Sequence, residues 1–123
     1  MSQPPSLPRA NWRELLLWLA GRRRRYQVVE QSMLPTLKPG DTVLAAPVAT
    51  MRPMTVGDIV IVRQPLGSDR LLIKRVKETF YDGGCYLISD NLAEPTAQDS
   101  RSFGVVAADQ MVARVTSVLL AAQ

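Results

Sequence analysis

Ser32 and the three lysines, Lys38, Lys74 and Lys77, frame the chemistry open to this chain. The 123 residues contain no histidine and one cysteine, Cys85. Without histidine, Ser-His-Asp and Cys-His catalysis are excluded. An activated hydroxyl must then use a lysine, a carboxylate or an N-terminal amine as its base. Ser32 stands in "QSMLPTLKPGD", residues 31–41, beside two prolines and a glycine. There it reads as a turn residue or as a nucleophile. A lysine can deprotonate it only if its own pKa falls from about 10.4 towards 7–8, which burial among apolar groups achieves by penalising the ammonium form. Lys74 lies in "RLLIKRV". In a strand, Leu72, Lys74 and Val76 share one face and Leu71, Ile73 and Arg75 the other. Lys38 falls in a turn sequence, and Lys77 follows Arg75's face beside Glu78. The pattern therefore favours Lys74 as the base. The alternative for Lys74 is a solvated lysine on a half-buried strand.

The elements that would position these groups are short. Residues 1–10 are Pro-rich and expected to be loose. Asn11 with Glu14 three residues on suggests a capping box, opening a helix of about three turns that runs through Arg22. Beyond residue 26 the apolar pattern turns to period two and short runs. It predicts strands at 26–30, 42–46, 59–63, 71–80, 85–89, 103–107 and 111–120. Pro39-Gly40 suits a type II turn, and Asp82-Gly83-Gly84 a hairpin. Pro35 is expected to hold Leu34 extended. Asp41 and Asp58, each after a glycine and before a strand, read as turn formers. Cys85 reads as a packed small residue. The expected fold is mainly β: a small domain of antiparallel strands with a short N-terminal helix, divided into residues 1–25 and 26–123.

Composition bounds the rest. Hydrophobic content of 46% and charge of 21% fit one folded domain. The net charge of +4 is uneven. Residues 1–26 carry six arginines against Glu14, and the remainder sums to −1. A single cysteine rules out an intramolecular disulfide and suits a reducing, cytoplasmic setting. No metal or other cofactor is implied, because one cysteine and no histidine make a poor zinc site. The longest apolar run near the start covers residues 15–20, where about 20 residues would be needed to span a bilayer. For residues 12–25 three readings stand: a helix packed on the domain or a partner, a peripheral membrane contact with Arg22–Arg25 at anionic headgroups, or nucleic acid. No nucleic-acid module is recognisable, so that partner is not expected.

Three stretches carry a family resemblance. "SMLPTLKPGD" resembles the nucleophile box of type I signal peptidases, "LLIKRV" their lysine box, and "SDNLAEPTAQDSR" followed by "FGVV" their third box. They occur in that order over about residues 28–115. The resemblance implies a Ser-Lys dyad in a fold of coiled antiparallel sheets. Ser32 would be the nucleophile, Lys74 the base, and the Ser32 backbone N–H an oxyanion donor. Asp99 and Arg101 match an Asp and Arg that would pair structurally, and Asp90 and Asn91 match the opening Asp-Asn. Three positions depart from the pattern. Ser89 replaces its glycine. Ala97 replaces the serine that supports the lysine, with Thr96 adjacent. Glu30 stands where some members carry a second oxyanion donor. The lysine's helper and the second donor stay open.

The Arg-rich lead into "VVEQSMLPTLKPGD" resembles the nickel-type superoxide dismutase maturation proteases. That resemblance implies removal of an N-terminal prosegment from a nickel superoxide dismutase precursor, exposing a metal-binding N-terminus, by a protease that itself needs no metal. The alternative within the family is a general signal peptidase acting on secreted precursors. Self-cleaving repressors share the dyad, but their DNA-binding module does not fit in residues 1–26. A non-catalytic β module binding lipid or nucleic acid is the reading from another class.

Overall fold

A computed structural model of the chain describes residues 6–48, 53–65, 69–93 and 98–123. Helix α1 (Trp12–Leu19) precedes strands β1 (Arg24–Gln27), β2 (Thr42–Pro47), β3 (Ile59–Arg63), β4 (Leu71–Thr79) and β5 (Cys85–Ile88). A short helix α2 (Ser100–Phe103), a 3-10 turn (Ala108–Gln110) and β6 (Met111–Leu120) complete the order. The strands form one six-stranded sheet in the order β1-β2-β6-β3-β4-β5, antiparallel at every pairing and not closed into a barrel. The mainly β expectation with a short N-terminal helix holds.

Strand alternation divides the interior into two cores. Ile59 and Ile61 of β3 pack with Met33, Leu37, Val43, Ala45 and Val115. Val60 and Val62, on the other face of the same strand, pack with Leu72, Val76, Leu87 and Val106. A strand buried on both faces reads as a continuous apolar run, and "IVIV" is one.

Helix α1 is shorter than its apolar pattern suggests. Asn11 caps it, accepting from the Glu14 N–H at 3.0 Å. At the other end Gly21 takes φ +79°. The Gly21 N–H bonds to the Trp18 carbonyl and the Arg22 N–H to the Leu17 carbonyl. This Schellman closure stops the helix at Leu19, so the arginine run leaves it. Arg24 and Arg25 join β1 instead, on opposite faces of that strand. Only half of the expected capping box forms. The Glu14 carboxylate turns away to accept from Thr116, from Ser117 Oγ at 2.8 Å and from Arg23 Nε at 3.1 Å, which ties α1 to β6. Residues 8–10 are not loose: Ala10 N–H reaches the Val118 carbonyl at 2.8 Å, and Val118 N–H reaches Pro8 at 2.9 Å.

The expected strand at 103–107 is the other correction. Asp99 caps a single helical turn, and Gly104, at φ +79°, ends it. Only Val106 then bridges Cys85. The reason is that β5 lies at the sheet edge, where outward N–H groups need partners. Cys85 bonds to the Val106 carbonyl at 2.9 Å, Leu87 to Ser100 Oγ at 2.8 Å and Ser89 to Asp99 Oδ2 at 2.8 Å. One bridge and two side chains thus cover the edge that another strand would have covered.

The turn predictions hold. Asp41 N–H bonds to the Lys38 carbonyl at 3.0 Å across Pro39-Gly40, with Gly40 at φ +94°, which a type II turn requires. Asp41 accepts from the Lys38 N–H, and Asp58 from that of Thr55. The β4–β5 hairpin closes at Asp82-Gly83-Gly84.

Candidate active site

Of the three lysines, only Lys74 is buried, at 1% exposure. Lys38 and Lys77 are exposed. Leu72 and Val76 flank Lys74 on the same face of β4 and belong to the second core, as the alternation predicts. Burial brings the Lys74 pKa down to about 8. Asp99 opposes that shift, while Arg70 and Arg101 add to it.

The segment following β5 organises the site with three successive residues. Ser89 Oγ accepts from Lys74 Nζ at 3.2 Å. Asp90 takes both Arg75 Nε, at 3.1 Å, and Arg75 Nη2, at 2.7 Å. It also accepts from Thr36 Oγ1, at 2.6 Å, in the loop that carries Ser32. Asn91 N–H donates to the Ser32 carbonyl at 2.9 Å, and its side-chain amide donates to the Gln31 carbonyl at 3.1 Å. Lys74 and the backbone of Ser32 are therefore fastened to positions two residues apart, roughly 7 Å along an extended chain.

Ser32 opens a run of turns over residues 32–36. Leu34 lies inside this run, and the Leu34–Pro35 bond is cis. Met33 and Leu37, both fully buried in the first core, pin the two ends of the turn. Ser32 is 2% exposed and lines a small pocket of about 70 Å3, with Val28, Glu30, Ile61, Leu72 and Ile73 among the walls. Among the described residues the Ser32 hydroxyl makes no hydrogen bond. Glu30, at the pocket wall, pairs with Arg70, so its carboxylate answers a cation.

Asp99 is the other anchor. Burial alone would raise its pKa. Hydrogen bonds from the Arg101 side chain and from the Ser89 and Arg101 N–H groups hold it below the usual carboxylate value instead. Arg101 Nη2 sits 2.9 Å from Asp99 Oδ2. The expected Asp99–Arg101 pair is thus present, and Asp99 also fixes the Ser89 backbone.

Sequence reasoning passed over Ser89, noting it only as a departure from a glycine. The missed signal is its register. Arg75 pairs with Ile88, and continuing that register puts Ser89 across from Lys74. Thr96, weighed as the lysine's helper, and Ala97, which replaces the family's serine, lie outside the described residues. Cys85 is buried, which raises its thiol pKa, so it is a packed residue and not an activated thiol.

No curated protein matches the chain. The family model of signal peptidase, peptidase S26, matches residues 16–79, more than half of the chain. The match takes in Ser32, Lys74 and both walls of the pocket, and ends before the segment that clamps them. That match, over a segment that holds both the serine at the apolar pocket and the buried lysine, shows that this chain belongs to the signal peptidase family, peptidase S26, and with it to the peptidases.

Proposed function

We propose that the protein is a Ser-Lys endopeptidase that removes the N-terminal prosegment of a nickel-type superoxide dismutase precursor. The observation that carries the catalytic part is Lys74, buried on an apolar face with a pKa of about 8, tied to the segment that also holds Ser32. Neutral Lys74 takes the Ser32 hydroxyl proton as Oγ attacks the scissile carbonyl. The resulting oxyanion is held by the Ser32 N–H. The Lys74 ammonium then gives its proton to the leaving amine, and an acyl ester remains on Ser32. Water, deprotonated by Lys74, attacks the ester; the Lys74 ammonium returns that proton to Ser32 Oγ as it leaves, and the new carboxylate is released. Catalytic hydrogen bonds are often made only in the substrate complex, which accords with a Ser32 hydroxyl that has no hydrogen bond among the described residues. The apolar pocket beside Ser32 suits an apolar side chain next to the scissile bond.

The substrate assignment rests on the resemblance of "VVEQSMLPTLKPGD" and its Arg-rich lead to the maturation branch. Incubation with the nickel superoxide dismutase precursor, followed by mass spectrometry of the new N-terminus, tests it. Cleavage at one junction, lost in Ser32→Ala and Lys74→Ala, is expected. Cleavage of many unrelated secretory precursors instead would favour the general signal peptidase.

A peripheral membrane contact through residues 12–25 is a second part of this reading. It is favoured by α1, which buries none of its residues and exposes Trp12, Leu16 and Leu19 at helical spacing. No helix among the described residues is long and apolar enough to cross a membrane. Co-sedimentation with vesicles containing phosphatidylserine is expected, and should be lost in a Trp12→Ser/Leu16→Ser/Leu19→Ser variant. Equal sedimentation of both proteins rules the contact out.

A further inference from the structure

Lys74 Nζ has one hydrogen-bond partner among the described residues, Ser89 Oγ. Ser89 is wholly buried, and its backbone cannot drift. Its N–H is bound by Asp99 Oδ2 at 2.8 Å, and the next two residues are bound to Arg75 and to the Ser32 carbonyl. Asp99 is itself gripped by Arg101.

A lysine side chain has many accessible rotamers, so a base built from one needs an anchor for its amine. A neutral amine has two N–H bonds and one lone pair. If an acceptor takes one N–H, the direction of the lone pair is restricted. A hydroxyl can do this without the charge that a carboxylate would bring, which would favour the ammonium form and weaken the base. We propose that Ser89 is the positioning residue for Lys74: its hydroxyl accepts one N–H of the neutral amine and turns the lone pair towards Ser32. This inference rests on the Ser-Lys reading of the site.

The experiment compares Ser89→Ala and Ser89→Cys with the unmodified protein, each checked for folding by its thermal transition. Cysteine keeps nearly the volume of serine but accepts hydrogen bonds poorly, so it keeps the test open if the alanine variant fails to fold. Substrate is a peptide spanning the precursor junction. In both variants kcat is expected to fall about 10- to 100-fold, the loss expected when a reacting group is slightly misplaced, with KM within about threefold. The midpoint of the acid limb of kcat/KM is expected to move below that of the unmodified protein. The lost acceptor solvates the ammonium more than the amine, so its removal depresses the lysine further. A purely structural serine would not move that midpoint. A folded variant with kcat within about twofold, or with an unchanged or raised midpoint, overturns the role of Ser89. Activity persisting in Lys74→Ala overturns the dyad reading itself, so the two failures are distinguishable.

Discussion

Lys74 has a cost and a use that share one cause. Its environment disfavours the ammonium form, and the same environment leaves the amine free to take a proton near neutral pH. Two predictions belong at this scale. The rate of precursor cleavage is expected to rise with pH, with a midpoint near 8, as the Lys74 ammonium loses its proton. A profile flat between pH 6 and 10, measured as kcat/KM, would contradict the role of Lys74. The second concerns stability. The folded pKa lies below the unfolded value, so between about 8 and about 10.4 the unfolded chain binds more protons and stability rises with pH. Below about 8 the full penalty applies. Lys74→Met should therefore be more stable than the unmodified protein at pH 7, by on the order of 3 kcal/mol. That difference should shrink steadily as pH approaches 10. Urea denaturation of the two proteins across this range measures it, and a difference independent of pH would show that Lys74 titrates normally.

At the scale of elements, the site is a clamp of three consecutive residues acting on a turn and a strand. Asp90 is central to it, since it binds Arg75 of β4 and Thr36 of the Ser32 turn at once. Arg75 and Asp90 are both buried, at 8% and 2% side-chain exposure. Removing Asp90 takes the paired carboxylate from a buried guanidinium that the Gly57 carbonyl and Thr36 also hold. Asp90→Ala is accordingly expected to cost about 3–5 kcal/mol in urea denaturation. It is also expected to lower kcat by releasing the Ser32 turn. A loss under about 1 kcal/mol would mean that the remaining partners of Arg75 suffice to hold its charge. The pairing of β4 with β5 carries a further decision. Thr79 pairs with Cys85 and Glu78 with Tyr86, but Val76 pairs with Leu87, so Lys77 is an extra residue in β4. Without that irregularity the hairpin register would place Asp90, not Ser89, across from Lys74. A carboxylate there would favour the ammonium form. The bulge therefore sets a neutral hydroxyl against the amine and leaves Asp90 to Arg75.

For the whole molecule, one sheet serves two cores, and the strands shared between them make it cooperative. Val43 and Val106 are both essentially fully buried, one in each core. Val43→Ala and Val106→Ala are each expected to cost about 2 kcal/mol. The double variant should show the sum to within about 0.5 kcal/mol, in a single transition. Two separate transitions would mean that the cores unfold independently. Much of this architecture was legible in the chain. "IVIV" at β3 and the alternation of β6 showed their own limits, because burial on two faces or one leaves a direct apolar signature. Asn11 marked the start of α1, but the helix expected through Arg22 stops at Leu19 because Gly21 closes it. The absence of histidine and the apolar face of "LLIKRV" together singled out Lys74. What the sequence could not determine was what each buried polar group would face. The strand expected at 103–107 became one bridge because Asp99 and Ser100 had already taken the outward N–H groups of β5. Ser89 meets Lys74 because of one extra residue, Lys77, in β4. Periodicity is a property of a strand by itself, whereas register is a property of a pair of strands, and only the folded sheet decides it.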